Sequence, residues 1–238
     1  MTAPPDALPQ ARRRAVLRQS VAVGVATGLY GISFGALSVA AGIGFWPTVA
    51  LSALLFTGGS QFAFVGVVAA GGGPAAAVAT STMLGVRNGL YGMQVAQWLH
   101  AHGPRRLAAA QLTIDESFAV GSGQPEPAAR TLGFWVTGAA VYVGWNLMTA
   151  LGALIGDRLG DPRRYGLDAM AAAAFVALLW PRLTSREPRV VAVMAAALAL
   201  VCVPVLPAGL PILAAGLVAV AAAVWQHQRS PTAHRGTS

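Results

Sequence analysis

The chain has 238 residues, 55% of them hydrophobic and only 10% charged, with mean hydropathy +0.60. A soluble domain carries about 25% charged residues, so composition excludes an ordinary soluble globule and predicts a polytopic protein of the lipid bilayer. The formal charge of +8 comes from arginine without any lysine; the arginines flank apolar runs, which assigns them to topology and lipid headgroups and argues against a nucleic-acid partner.

One cysteine, Cys202, stands inside an apolar run, so neither an intrachain disulfide nor a cysteine metal cluster can form. The histidines His100, His102, His227 and His234 all fall outside the apolar runs. The reading is therefore of no metal and no cofactor.

Residues 1–19 are polar and carry Arg12, Arg13, Arg14 and Arg18. They resemble the start of a signal peptide, but the apolar run behind them reaches about Gly44 and is too long for one. It predicts a retained first span, Ser20–Ile43, with the N-terminal tail in the cytoplasm. Ser20, Gly24, Gly28, Gly31 and Gly35 recur at intervals of three and four, giving a ridge on which another helix packs or which faces a substrate path.

Phe45-Trp46-Pro47 opens a second span that runs to about Ala69. Its middle carries Thr57-Gly58-Gly59-Ser60-Gln61. The turn Gly71-Gly72-Gly73-Pro74 leads to a third span over 75–99, whose middle carries Arg87-Asn88-Gly89. Both clusters fall near mid-depth, where an ionisable side chain is costly and reads as functional. Two interrupted helices meeting there point to a transporter's substrate site.

Residues 107–120, LAAAQLTIDESFAV, read as one helix despite Asp115 and Glu116, and Gly121 to Pro127 end it. A fourth span covers Thr131–Ile155, with Gly152 and Gly156 at helix-packing spacing. A short fifth span, Gly166–Trp180, holds Asp168. The apolar stretch Val190–Val224 contains Pro204, Pro207, Gly209 and Pro211, which predicts two short helices. The chain thus reads as all-α, a single transmembrane domain over 20–226 with about seven or eight spans and a polar tail at 227–238. The arginine count decides how 107–122 is read: a crossing gathers Arg130, Arg182, Arg186, Arg189, Arg229 and Arg235 with the N-terminal arginines on the cytoplasmic side. Such a polar helix must be buried in protein or line a cavity.

Arg87 keeps its proton and needs a partner. It either pairs with Asp115, Glu116 or Asp168, or holds a substrate carboxylate in its fork, or snorkels toward the interface. Asp115 and Glu116 diverge by about 100° on a helix, which predicts that one faces a cavity and the other a partner or water. Either carboxylate can carry a proton or pair with an ammonium group; a solvated loop is the alternative. Gly58-Gly59 with Ser60-Gln61 either turns backbone toward a ligand at a helix break or packs tightly with Gln61 in an interhelical hydrogen bond. Asn88 beside Gly89 poses the same choice. Trp98, Trp135, Trp180 and Trp225 suit interface anchors.

In order and spacing, GISFGALSVAAG, FTGGSQFAFVG, GVRNGLYG, TIDESFAV and GLDAMAAAAFVALLWPRL resemble the AzlC family over most of the chain, from about Ser20 to Arg182. The resemblance implies the large subunit of a branched-chain amino-acid exporter in the bacterial inner membrane. It also implies a small AzlD-type membrane subunit as partner, export of leucine, isoleucine, valine or analogues, and drive by the proton gradient. One departure is that Arg87 precedes Asn88 where the family pattern has Asn before Arg. The site then comprises Arg87, Asn88, Gln61, Ser60, Gly58 and Gly59 for substrate, Asp115 and Glu116 for a proton or ammonium, Asp168 as an ion-pair partner, and the small residues of the first span as room for a branched chain. The alternatives are an intramembrane aspartyl-type enzyme using Asp115 and Asp168, and a non-transporting scaffold subunit; no Walker motif is present.

Overall fold

A computed structural model describes residues 8–159, 176, 179–180, 183–206 and 210–229. Described residues form helices and connecting turns without a strand: α1 (Gln10–Ala40), α2 (Phe45–Leu54), α3 (Gly59–Ala69), α4 (Pro74–Leu99), α5 (Pro104–Gln111), α6 (Asp115–Ser122), α7 (Pro127–Leu159), α8 (Arg186–Cys202) and α9 (Leu210–Arg229). Asp168 and most of the predicted fifth span lie outside the described residues.

Helix α1 starts ten residues before the apolar run, so Arg12, Arg13 and Arg14 ride on its first turns. Arginine is a good helix former, and Pro9 is the first residue that stops the helix. The triple-glycine turn forms with Gly71 at φ +77°, and Pro74 opens α4. The C-terminal apolar run divides into α8 and α9, which pack on each other.

The glycine ridge of α1 packs along α7. Gly24 meets Ala140, Gly28 meets Gly144, Gly31 meets Trp145 and Gly35 meets Thr149, while Gly152 and Gly156 of α7 meet Ile32 and Ala36. A β-carbon on Gly28 would stand 3.1 Å from the Gly144 backbone, so the two helix backbones are near contact. The ridge is therefore filled by α7 and leaves no room for a substrate side chain, which corrects that expectation.

The pattern of burial is inverted relative to a soluble protein. Val21, Val25 and Leu29 on α1, Val86, Leu90 and Met93 on α4, and Leu147 and Leu151 on α7 are exposed. Ser20, Gln61, Thr80, Ser81, Thr137 and Thr149 are buried. Such broad apolar exteriors suit lipid rather than water. Helices α1 and α7 are each long and apolar enough to cross a bilayer. Together these features are those of a helical membrane protein.

The stretch read as one helix over 107–120 is two, α5 and α6, with a break at Leu112-Thr113-Ile114. It matches the break between α2 and α3. The chain then returns to the end at which α1 begins: the Arg12 guanidinium donates to Gln124 at 2.8 Å and Glu126 at 3.1 Å, and Arg130 Nε donates to the Gln124 carbonyl at 2.7 Å. The hydrogen bond from Arg12 holds the Glu126 carboxyl below its ordinary range. Its contribution is present at neutral pH and is lost as pH falls through that lowered value.

Replacing Gly28 with leucine should force α1 from α7 and cost about 1–3 kcal/mol, read as a lower unfolding midpoint in detergent. Gly92 on α4 has no neighbour among the described residues within 4 Å of its missing β-carbon, so Gly92→Ala should hold or slightly raise the midpoint.

Candidate functional site

A cut helix leaves backbone groups without partners, and inside an apolar bundle the protein must supply them. At the first break Gly58 adopts φ +62° and ψ −89°, open to glycine alone among the common residues. The side chain of Gln61, fully buried, bridges the cut. Its Oε1 accepts the Gly58 amide at 3.2 Å, and its Nε2 donates to the carbonyls of Leu51 at 3.2 Å and Ser52 at 3.4 Å. The next carbonyl, Ala53, accepts Gln111 Nε2 at 2.7 Å and Tyr142 Oη at 3.4 Å.

The second break is built from short side chains. Ile114 is extended at φ −128° and ψ 171°. Its amide donates to Ser117 Oγ at 3.1 Å, and Ser117 donates to the Leu112 carbonyl at 2.5 Å. Thr113 turns its hydroxyl back to the Ala109 carbonyl at 2.7 Å, and the Thr113 carbonyl accepts Asn88 Nδ2 at 3.1 Å.

The third span, read as interrupted at Arg87-Asn88-Gly89, is one continuous helix, α4, which corrects that expectation; its middle holds the two breaks together. Asn88 reaches the second, while Arg87 reaches both: Nη1 pairs with Asp115 Oδ2 at 3.1 Å, and Nη2 points at the Thr57 carbonyl at 3.5 Å. Gly59 permits this approach, since a β-carbon there would stand 3.0 Å from Arg87 Nη2. Of the carboxylates named for Arg87, Asp115 pairs with it, and Asp168 lies outside the described residues. Both side chains are mostly buried, so removing one partner leaves a charge in a poor solvent, at a cost of about 3–5 kcal/mol.

Around this pair lies a cavity of about 90 Å³. Gly58, Gly59, Arg87, Asp115 and Glu116 line it together. Asp115 and Glu116 were expected to face different surroundings, but both reach the cavity. They occupy the first turn of α6, whose end rather than whose side meets it, so the angular separation around the helix does not divide them. Ser60 and Gln61 are buried behind the break, and Asn88 is engaged at the second break; none of these three lines the cavity.

Sequence reasoning passed over Trp145, Tyr30, Thr27, Phe56, Phe62 and Val141, which complete the wall. Trp145 carried a usable signal: it stands mid-span in the fourth apolar run, where an interface anchor does not belong. Its ring is pinned by Phe34, with centroids 6.0 Å apart, and by the edge of Phe62 at 6.1 Å. Among the described residues no group of three or more His, Cys, Asp or Glu could hold a metal ion.

Gln61→Leu removes the bridge and strands the Gly58 amide and two carbonyls, so it should lower stability by at least about 2 kcal/mol. Ser60→Ala removes a buried hydroxyl that has no partner among the described residues and should leave the unfolding midpoint unchanged or raised. Unfolding of both purified variants in detergent measures the difference.

No curated protein and no solved structure matches the chain. The model of the AzlC family, described as AzlC protein, matches residues 22–159. That span runs from within α1 to the end of α7 and includes every residue that lines the cavity. With more than half of the chain matched, and with a helical, apolar architecture around it, the chain belongs to the AzlC family, a family associated with transport across membranes.

Proposed function

We propose that this chain is a secondary transporter that exports leucine, isoleucine, valine or analogues across the bacterial inner membrane. It works as the large subunit beside a small AzlD-type membrane protein, and the proton gradient drives it. The observation that carries the reading is the Arg87–Asp115 pair set between two helix breaks in an apolar bundle. Discontinuous helices around a buried charge are what a bilayer protein uses to hold a polar cargo.

The pair supplies a mechanism. The Arg87 fork matches a carboxylate, and the carboxylate of an amino acid competes with Asp115 for it. Asp115, displaced, then accepts the ammonium group or a proton. Glu116 supplies a second acidic group at the same wall. Gln61 and Asn88 act behind the cavity by holding the breaks open. A volume of about 90 Å³ is well below the roughly 300–1,000 Å³ of ordinary ligand pockets, so entry of a whole amino acid requires the half-helices to part. The N-terminus is cytoplasmic in this reading, and the contact of Arg12 with Gln124 and Glu126 supports keeping residues 124–130 on the same side as the N-terminal arginines.

Inverted vesicles should take up radiolabelled leucine faster with an imposed pH gradient than without one. Uptake indifferent to the gradient removes the proton coupling, and no uptake with the partner subunit present removes the transport reading. In purified protein Arg87→Gln and Arg87→Lys should both weaken leucine binding at least about tenfold, because lysine keeps the charge but loses the fork. Wild-type affinity in both folded variants takes Arg87 out of the site. In folded Asp115→Asn, leucine binding should weaken, because the ammonium group loses a carboxylate, and transport should stop responding to pH; unchanged binding and an unchanged pH response take Asp115 out of the mechanism.

A further inference from the structure

The two breaks are copies of one unit. Residues 57–63 read Thr-Gly-Gly-Ser-Gln-Phe-Ala, and residues 113–119 read Thr-Ile-Asp-Glu-Ser-Phe-Ala. Threonine, phenylalanine and alanine coincide, and so does the capping. In each copy the second residue caps the half-helix, and its amide donates to the side chain three residues on, Gln61 at 3.2 Å or Ser117 at 3.1 Å. The copies differ where they meet the cavity. The first turn of α6 carries Asp115 and Glu116, which offset the positive end of its dipole. The first turn of α3 carries Gly59 and Ser60 and no acid.

The end of α3 is accordingly a place of surplus donors. The Gly58 amide is taken by Gln61, and the amides of Gln61 and Phe62 return to the Gly58 carbonyl; those of Gly59 and Ser60 have no acceptor among the described residues. Trp145 adds an independent observation. It lines the cavity, is only 4% exposed, and its indole N–H is buried without an acceptor among the described residues. An orphaned buried donor costs about 1–3 kcal/mol and calls for an explanation. Phe34 and Phe62 pack against the ring and hold it in place.

We propose that Trp145, together with the first-turn amides of α3, forms a carboxylate pole opposite an ammonium pole at Asp115 and Glu116, so that an α-amino acid binds in one fixed orientation. This rests on the amino-acid reading above and adds to it a specificity residue and a direction. Arg87, whose fork reaches the Thr57 carbonyl beside α3 as well as Asp115, adds its charge to the carboxylate pole. The apolar side chain is left to Tyr30, Phe56 and Val141.

Three probes separate the poles: L-leucine, 4-methylpentanoate, which lacks the ammonium group, and 3-methylbutylamine, which lacks the carboxylate. Trp145→Phe keeps an aromatic ring and removes the N–H. In purified protein it should weaken leucine and 4-methylpentanoate about tenfold or more and leave 3-methylbutylamine within about twofold. Equal weakening of all three makes the indole a packing group and overturns the proposal, as does no change in any. In wild-type protein with ¹⁵N-labelled tryptophan, one of the six indole N–H resonances should move downfield with leucine and 4-methylpentanoate and stay with the amine. If none moves, the proposal fails even where Trp145→Phe does not fold. Leucine binding that persists in either failure leaves the transport reading standing, whereas wild-type protein that binds none of the probes removes both.

Discussion

A helix cut open inside an apolar bundle has to be repaired by its own neighbours, and this constraint shapes the centre of the molecule. Each unmade backbone hydrogen bond costs several kcal/mol where water is absent. Gln61 alone serves an amide and two carbonyls at the first cut, and Ser117, Thr113 and Asn88 serve the second. These buried polar side chains keep the half-helix ends apart from each other and turned to a common cavity. Arg87 then has two places to lean, the Thr57 carbonyl and Asp115, because both cuts lie beside the middle of α4.

The rest of the bundle fixes that geometry. Helices α1 and α7 lie nearly backbone to backbone along their glycines, which gives a rigid wall carrying Thr27, Tyr30, Val141 and Trp145 to the cavity. Packing between small residues is the main means of joining helices where lipid is as apolar as leucine.

Much of this was legible in the sequence where a residue type has one cheap use. Gly71 to Pro74 marked a turn and the prolines after Val203 a divided helix, while Gly58-Gly59 offered a break or a packing point and the first-span glycines a packing face or a substrate path; the structure makes them a break and a packing face. The second break was not legible, because Leu112-Thr113-Ile114 contains neither glycine nor proline. It exists through contacts from elsewhere, above all Asn88 on α4 and Ser117 across the gap. The joint approach of Asp115 and Glu116 to one cavity was missed for the same reason: a helix-face argument fails at a helix end. Which carboxylate pairs with Arg87 depends on tertiary packing, and periodicity carries no information about it. Trp145 was passed over because five other tryptophans made the interface reading habitual, although its mid-span place argued otherwise.

The central claim is that the two half-helix ends and the Arg87–Asp115 pair receive the cargo. A high-resolution structure of the protein with L-leucine, in lipid nanodiscs, tests it most directly. The account predicts leucine between the first turns of α3 and α6, its carboxylate on Arg87 and the Arg87–Asp115 contact lengthened beyond 3.1 Å. Leucine bound elsewhere, with that pair intact, would contradict it.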